Sequence, residues 1–253
     1  MTKEQDFFIE ENRVSGINCD SYESIHHIIE DLEAFTRLTY KSVYVIDYHK
    51  QNFLFVSNNP LFLCGFTAEK VKEMGYSFYI NQVVPEDLSL LLEINKAGFK
   101  FLSDIPREEK RNYTVSYDFR IMIKDSAITR LINHQITPLR LTEKGEVWLA
   151  LCVVSISTKL VSGNITMFKN GSDDHWLYNK NNGKWEKALR PELTEKEKEV
   201  LKFSSMGYNM KEIAVMLHRS FDSVRLYRKN IFLKLNVDSI AAAVNYAKNH
   251  RLI

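Results

Sequence analysis

The chain has 253 residues, 45% hydrophobic and 26% charged, which excludes a disordered or fibrous polypeptide and leaves room for one or two globular domains. With 34 Lys and Arg against 32 Asp and Glu the formal charge is +2, too small for the whole molecule to act as a polycation. The charge is uneven, since residues 191–253 hold 11 Lys/Arg and 7 Asp/Glu, hence +4, and residues 1–190 hold 23 and 25, hence −2.

The cysteines Cys19, Cys64 and Cys152 are odd in number and have no CxxC spacing, which argues against a disulfide framework or a zinc site and for a reducing compartment. The start, "MTKEQDFFIEENRV", is acidic where a signal peptide is basic and then apolar, and no window approaches the roughly 20 apolar residues of a membrane span. A cytoplasmic protein with no membrane partner is expected.

From Ser21 to Thr39 the residues Ile25, Ile28, Ile29, Leu32, Phe35 and Leu38 recur at three and four, which predicts one amphipathic helix. Its stripe either packs on its own domain or forms a dimer seam. "SVYVIDY" and "NFLFVSN" then read as a β-hairpin around "HKQ". "NPLFLCGFTAEKVKEMG" and "PEDLSLLLEINKAGFKFL" read as short helices, with Thr67 an N-cap and Pro85, Glu86 and Asp87 a helix start. "YTVSYDFRIMI", "ITRLINHQITPLRL" and "VWLALCVVSIST" follow as an antiparallel meander whose last turn is "EKG". The order predicts an α+β layer with helices on one face of an antiparallel sheet.

Residues 40–160 resemble a PAS sensor domain, carried by "VYVIDYHKQNFLFVSN", "LFLCGFTAEKVKEMG" and "VVPEDL", the last with Val84 where relatives have His. The stretch "NITMFKNGSDDHWLYNKNNGKWEK" holds Asn170-Gly171 and Asn182-Gly183, both type I′ turn signals, flanked by Trp176, Tyr178 and Trp185. The expected layout is a helix over 1–39, the PAS-like domain over 40–160, a β-hairpin connector over 161–190 and an all-α domain over 191–253.

In that last segment Thr194 and Glu197 spell a capping box with Leu193 as staple partner, Leu201 continues a buried stripe, and Gly207 supplies a stop. A second helix starts at Asn209 with Glu212 three residues on and buries Ile213, Ala214 and Leu217. A third starts at Ser220, and "SIAAAVNYAKNH" makes a fourth. Four short helices in about 60 residues suit a helix-turn-helix domain. In the third, Val224, Ile231 and Leu235 fall on one side, while Asp222, Arg225, Leu226 and Lys229 fall on the other. A buried stripe opposite a cationic one is the shape of a recognition helix, whose Arg can fork onto guanine in the major groove. The plainer alternative is a solvated face, although Arg219, Arg225, Arg228, Lys229 and Lys234 have only Asp222 among them as a partner.

Leu193–Ile253 is similar to the LuxR/GerE helix-turn-helix family, through "LTEKEKEVL", "MGYNMKEIAVMLHRSFDSVRLYRKNIFLKLNV" and "AAAVNYAKNHRLI". The resemblance implies base contacts from Arg225, Leu226 and Lys229 and backbone contacts from Ser223, Tyr227 and Arg228. Relatives usually carry Lys at Arg225, His at Tyr227 and an aliphatic residue at Arg219, so the target sequence does not carry over. Arg228 or Lys234 could instead bind phosphates alone, and Tyr227 could point into the core. Ala241, Ala242, Ala243 and Ala247 are either the dimer contact that the family implies or plain helix formers.

For the front domain, a receiver reading finds Asp47 after the first strand but no βα alternation behind it. "GINCDSYE" at Gly16–Glu23 matches a flavin-photosensor motif only in part and lies before the first strand. His49 and His134 read as surface histidines rather than haem ligands, and the cluster of acyl-homoserine-lactone receptors is absent. The glycosylation-like Asn112 and Asn164 have no role in a reducing compartment. No nucleophile constellation, Walker loop or HExxH occurs, so no enzyme, metal or cofactor is expected; an unidentified small molecule in the PAS-like domain is the candidate ligand. The expected function is a one-component, sequence-specific transcriptional regulator, with double-stranded DNA, a second copy of the chain and RNA polymerase as partners. The alternatives are a protein-interaction and dimerisation module with weak nonspecific DNA affinity, or an atypical response regulator.

Overall fold

The computed structural model describes residues 3–172, 174–189, 191–249 and 252–253. These form two compact units, Met1–Ser157 with Val161–Ala188, and Thr158–Leu160 with Leu189–Ile253.

The first unit opens with two short 3-10 turns, Glu4–Phe7 and Glu10–Asn12. Next come α1 (Cys19–Glu23) and α2 (His26–Thr36). One helix was expected over this stretch. The division falls at Ser24 and Ile25, where Ile25 turns inward with 3% exposure. The hairpin of β1 (Ser42–Asp47) and β2 (Asn52–Val56) is followed by α3 (Pro60–Leu63), α4 (Ala68–Met74), α5 (Ser77–Gln82) and the longer α6 (Pro85–Ser103). Thr67 Oγ1 caps α4 by accepting from Lys70 N at 3.1 Å, and Pro85 opens α6 where its missing N–H leaves no helical bond unmade. The strands β3 (Tyr113–Met122), β4 (Thr129–Leu141) and β5 (Val147–Ile156) form the meander. Two strands, helices, then a meander is the antiparallel layout that the PAS resemblance implies, and β1 is buried along its whole length.

The segment after β5 differs from its reading as a connector. β6 (Gly163–Lys169), β7 (Asp174–Asn179) and β8 (Lys184–Leu189) extend the same sheet, in the order β2-β1-β5-β4-β3-β6-β7-β8. The cause is aromatic: Trp176 and Trp185 pack on Phe101 of α6 with ring centroids 5.3 and 5.7 Å away, and Trp185 Nε1 donates to Ala97 O at 3.1 Å. Gly171 and Gly183 take positive φ but their preceding asparagines do not, so the turns are not type I′.

The second unit holds α7 (Glu195–Ser205), α8 (Met210–Met216), α9 (Phe221–Leu235) and α10 (Ile240–Asn249). Leu193, Val200, Leu201, Ile213, Val224, Ile231, Leu235, Ala243 and Ala247 close one core. Among the described residues no helix is long and apolar enough to cross a membrane.

Candidate nucleic-acid interface and the interior of the first unit

Local chemistry sets the helix-turn-helix. The Thr194 and Glu197 box starts α7, and Asn209 Oδ1 accepts from Lys211 N and Glu212 N while Glu212 Oε2 accepts from Asn209 N, which fixes the start of α8. His218 turns the chain at φ +50°, a left-handed position unusual for a side-chain-bearing residue, and Arg219 N closes onto Ala214 O at 2.9 Å. Ser220 Oγ then accepts from Ser223 N at 3.2 Å and starts α9.

Along α9, Val224, Ile231 and Leu235 enter the core, and Arg225, Leu226 and Lys229 are exposed on the opposite side. Arg225 has a loose ion pair, Nη1 to Asp222 Oδ1 at 3.9 Å, and Leu226 is 56% exposed. Ser223 is half-buried, its hydroxyl 2.8 Å from that of Ser220. Tyr227 is half-buried against the core of this unit, and the Arg228 guanidinium lies 5.5 Å from the centroid of the Phe232 ring. The six residues thus divide into three fully presented side chains and three partly engaged by the helix.

Lys234, one of the two side chains that could bind phosphate alone, has a partner within its own unit. Its ammonium donates to Glu197 Oε2 at 2.8 Å, and that glutamate, with its side chain 2% exposed, also accepts from Thr194 N at 2.7 Å. The lysine tethers α9 to the start of α7, a partnership across 37 positions that helix periodicity does not reveal. In α10, Ala243 and Ala247 are fully buried in the core while Ala241 is exposed, so two of the four alanines serve the fold itself.

In the first unit His134 is buried rather than superficial, with 1% exposure. It sits on β4 opposite Tyr117, with Nε2 2.5 Å from Tyr44 Oη, and Tyr44 Oη also bonds Tyr79 Oη. Burial lowers its pKa to about 3. His49 is half-buried, 3.1 Å from Tyr22 Oη. Asp47 accepts from Tyr22 Oη at 2.7 Å, His49 N at 3.0 Å and Lys50 N at 3.1 Å, which makes it the anchor of the β1–β2 turn in a sheet of antiparallel pairs rather than a receiver aspartate. Burial pushes the Cys64 thiol up to about 12, and the described residues contain no His/Cys/Asp/Glu group able to hold a metal ion. Asp87 loses hydration by burial, yet the donors Arg120 Nη2 at 2.7 Å, Arg120 Nε at 2.9 Å and Ser162 Oγ at 2.6 Å hold its carboxyl below the usual range. This places it as the tie between α6, β3 and the root of β6.

Residues 191–247 match the luxR family of bacterial regulatory proteins, so the second unit carries a LuxR-type helix-turn-helix domain. The response regulator protein VraR of Staphylococcus aureus is 41% identical over 61 residues, which are 24% of this chain and 29% of that one. The Fimbriae Z protein of Salmonella typhimurium is 38% identical over 61 residues, with the same shares of 24% and 29%. The chain spans about a third of the length of the curated relatives it matches. A solved complex of phage VqmA with DPO is similar over 90% of each chain, at 17% identity and a TM-score of 0.34.

Proposed function

We propose that this chain, with a LuxR-type domain at its C-terminus, is a transcriptional regulator that reads a specific duplex sequence as a dimer, under the control of its PAS-like domain. The observation that carries the proposal is the composition of the exposed face of α9. Arg225 and Lys229 stand one turn apart with Leu226 between them, none of them buried in the unit. Arg225 offers the bidentate fork that guanine O6/N7 accepts, Leu226 an apolar contact for a thymine methyl, and Lys229 a second cation for base or phosphate. Ser223, Tyr227 and Arg228 flank this face and are assigned to the DNA backbone, where contacts fix register without reading sequence. Two copies joined through the exposed side of α10 would read inverted half-sites about one helical turn apart. An activator of this kind also needs RNA polymerase as a partner.

The test is selection from random duplex DNA by the purified full-length protein at about 150 mM salt. An enriched inverted repeat is expected, and Arg225→Ala is expected to lose about 1–3 kcal/mol on that site and relax base choice at one position. Lys229→Ala is expected to weaken binding more evenly across sequences. Binding without enrichment, vanishing as salt rises, would instead favour a partner-binding module with nonspecific DNA affinity.

A further inference from the structure

On the surface of the first unit, the loop between α6 and β3 and the end of β4 form a cleft of about 340 Å³, lined by Arg107, Glu108, Arg111, Arg140 and Leu141. Main-chain bonds from Lys110 N to Pro106 O at 3.2 Å and from Asn112 N to Glu109 O at 2.8 Å wind the loop into helical turns, so Arg107 and Arg111, four positions apart, fall on one side. Arg140 comes from β4, and the register of β4 with β5 shifts on either side of it. Irregularities of this kind re-aim a side chain out of the strand's alternation, and the side chain they carry here lines the cleft.

The segments that carry the three arginines are fixed to each other. Lys110 Nζ donates to Gly145 O in the β4–β5 turn at 3.0 Å. Gly145, at φ +83°, also makes room for the stem of Arg107, which a Cβ at that position would approach to 3.3 Å. The neighbouring acids are engaged elsewhere: Glu109 accepts from Lys169 Nζ at 2.8 Å and Glu146 from Thr142 Oγ1 at 3.1 Å. Among the described residues Arg107, Arg111 and Arg140 form no ion pair, and Arg140 Nη1 turns back onto Leu139 O at 3.2 Å. Three guanidiniums against the one carboxylate of Glu108 leave the wall at +2. Like charges held at one surface raise each other's energy, and an anion seated among them removes that cost. A tetrahedral phosphate offers oxygens to forks that arrive from different elements, whereas a planar carboxylate offers two in one plane.

We propose that this cleft binds a small anion carrying two or more phosphates, taken by the guanidinium forks of Arg107, Arg111 and Arg140, with Glu108 limiting the affinity. The site lies outside the DNA-reading face of α9 and goes beyond the regulator reading without resting on it.

The full-length protein, without DNA, is titrated calorimetrically with pyrophosphate, orthophosphate and citrate at about 50 mM salt, low enough to spare exposed charges from heavy screening. Saturable binding of pyrophosphate is expected, at least about ten-fold tighter than orthophosphate because the second phosphate adds charge-assisted bonds. Arg107→Gln and Arg140→Gln are each expected to weaken it about ten-fold, and Arg140→Lys, which keeps the charge and loses the fork, by less. Glu108→Gln is expected to tighten it about three-fold, since it removes the one repelling charge on the wall. These side chains are exposed, so the fold is kept, and Arg130→Gln, exposed and outside the cleft, should bind as the native chain does. No saturation by pyrophosphate overturns the proposal. Citrate binding as tightly as pyrophosphate overturns the phosphate class, and Arg130→Gln weakening binding as much as Arg140→Gln overturns the location. Looser binding in Glu108→Gln contradicts its limiting role. If pyrophosphate does not saturate and Arg107→Gln instead lowers the salt dependence of DNA binding, the cations serve the duplex backbone. None of these outcomes touches the Arg225 experiment.

Discussion

Lys234→Met is expected to destabilise the C-terminal unit by about 3 kcal/mol, and Glu197→Gln by only about 1 kcal/mol. The asymmetry follows from where each charge goes when its partner is lost. Glu197 is 2% exposed and Lys234 36%, so an unpaired lysine can turn toward water while an unpaired glutamate is left uncompensated. Glutamine also keeps an oxygen for Thr194 N, preserving the capping contact that starts α7. The double variant is expected to recover most of the loss, because it removes both charges together. The three tryptophans, Trp148, Trp176 and Trp185, lie in the first unit, so fluorescence does not follow this change. Native-state hydrogen exchange at the buried amides of Val224 and Ile231 in the full-length protein does. If Glu197→Gln is the costlier change, the argument from solvation is wrong. While folded, Lys234→Met should leave the salt dependence of DNA binding unchanged, in contrast to Lys229→Ala, since Lys234 already has a protein partner.

The second unit was legible in the sequence because its signals are local. Thr194, Asn209 and Ser220 each accept the backbone bonds that their positions before an apolar run announce, and Val224, Ile231 and Leu235 are spaced for one face of one helix. The exposed face followed from the same spacing, and so Arg225, Leu226 and Lys229 fall together. Periodicity alone left Tyr227 between groove and core; the structure places it half-buried against the core of its own unit. Partnerships between distant positions were out of reach. Nothing near Lys234 points to Glu197, nothing near His134 points to Tyr44 across 90 positions, and the pairing of Asn95 with Phe7 spans 88. The last three strands were misassigned for the same reason. Turn residues marked β-hairpins correctly, but which sheet they join is decided by Trp176 and Trp185 finding Phe101 on α6. The signal available was the tryptophans themselves, too large and apolar to be left on a solvated connector.

Those distant contacts also govern the second large effect, the response of the first unit to acid. With its pKa lowered to about 3 by burial, His134 is neutral in the folded protein down to that pH, whereas in the unfolded chain it titrates near 6.5. Between these values the unfolded state binds the additional proton, so stability is complete above about pH 6.5 and falls as pH drops toward 3. The limiting slope is about 1.4 kcal/mol per pH unit, which amounts to about 3 kcal/mol between pH 7 and pH 4. Other groups titrate in the same range, including Asp87, whose depressed pKa adds stability that is also lost as acid is added. The histidine contribution is therefore read as a difference. His134→Gln keeps a hydrogen-bonding group for Tyr44 and cannot take up a proton, so its stability, followed by tryptophan fluorescence in urea, should lie below that of the native chain at pH 7 and converge with it or cross it near pH 4. Parallel curves across that range would mean that the folded protein accepts a proton on His134. The neutral interior through which Tyr44 and Tyr79 are linked to it would then not be the environment that this imidazole feels.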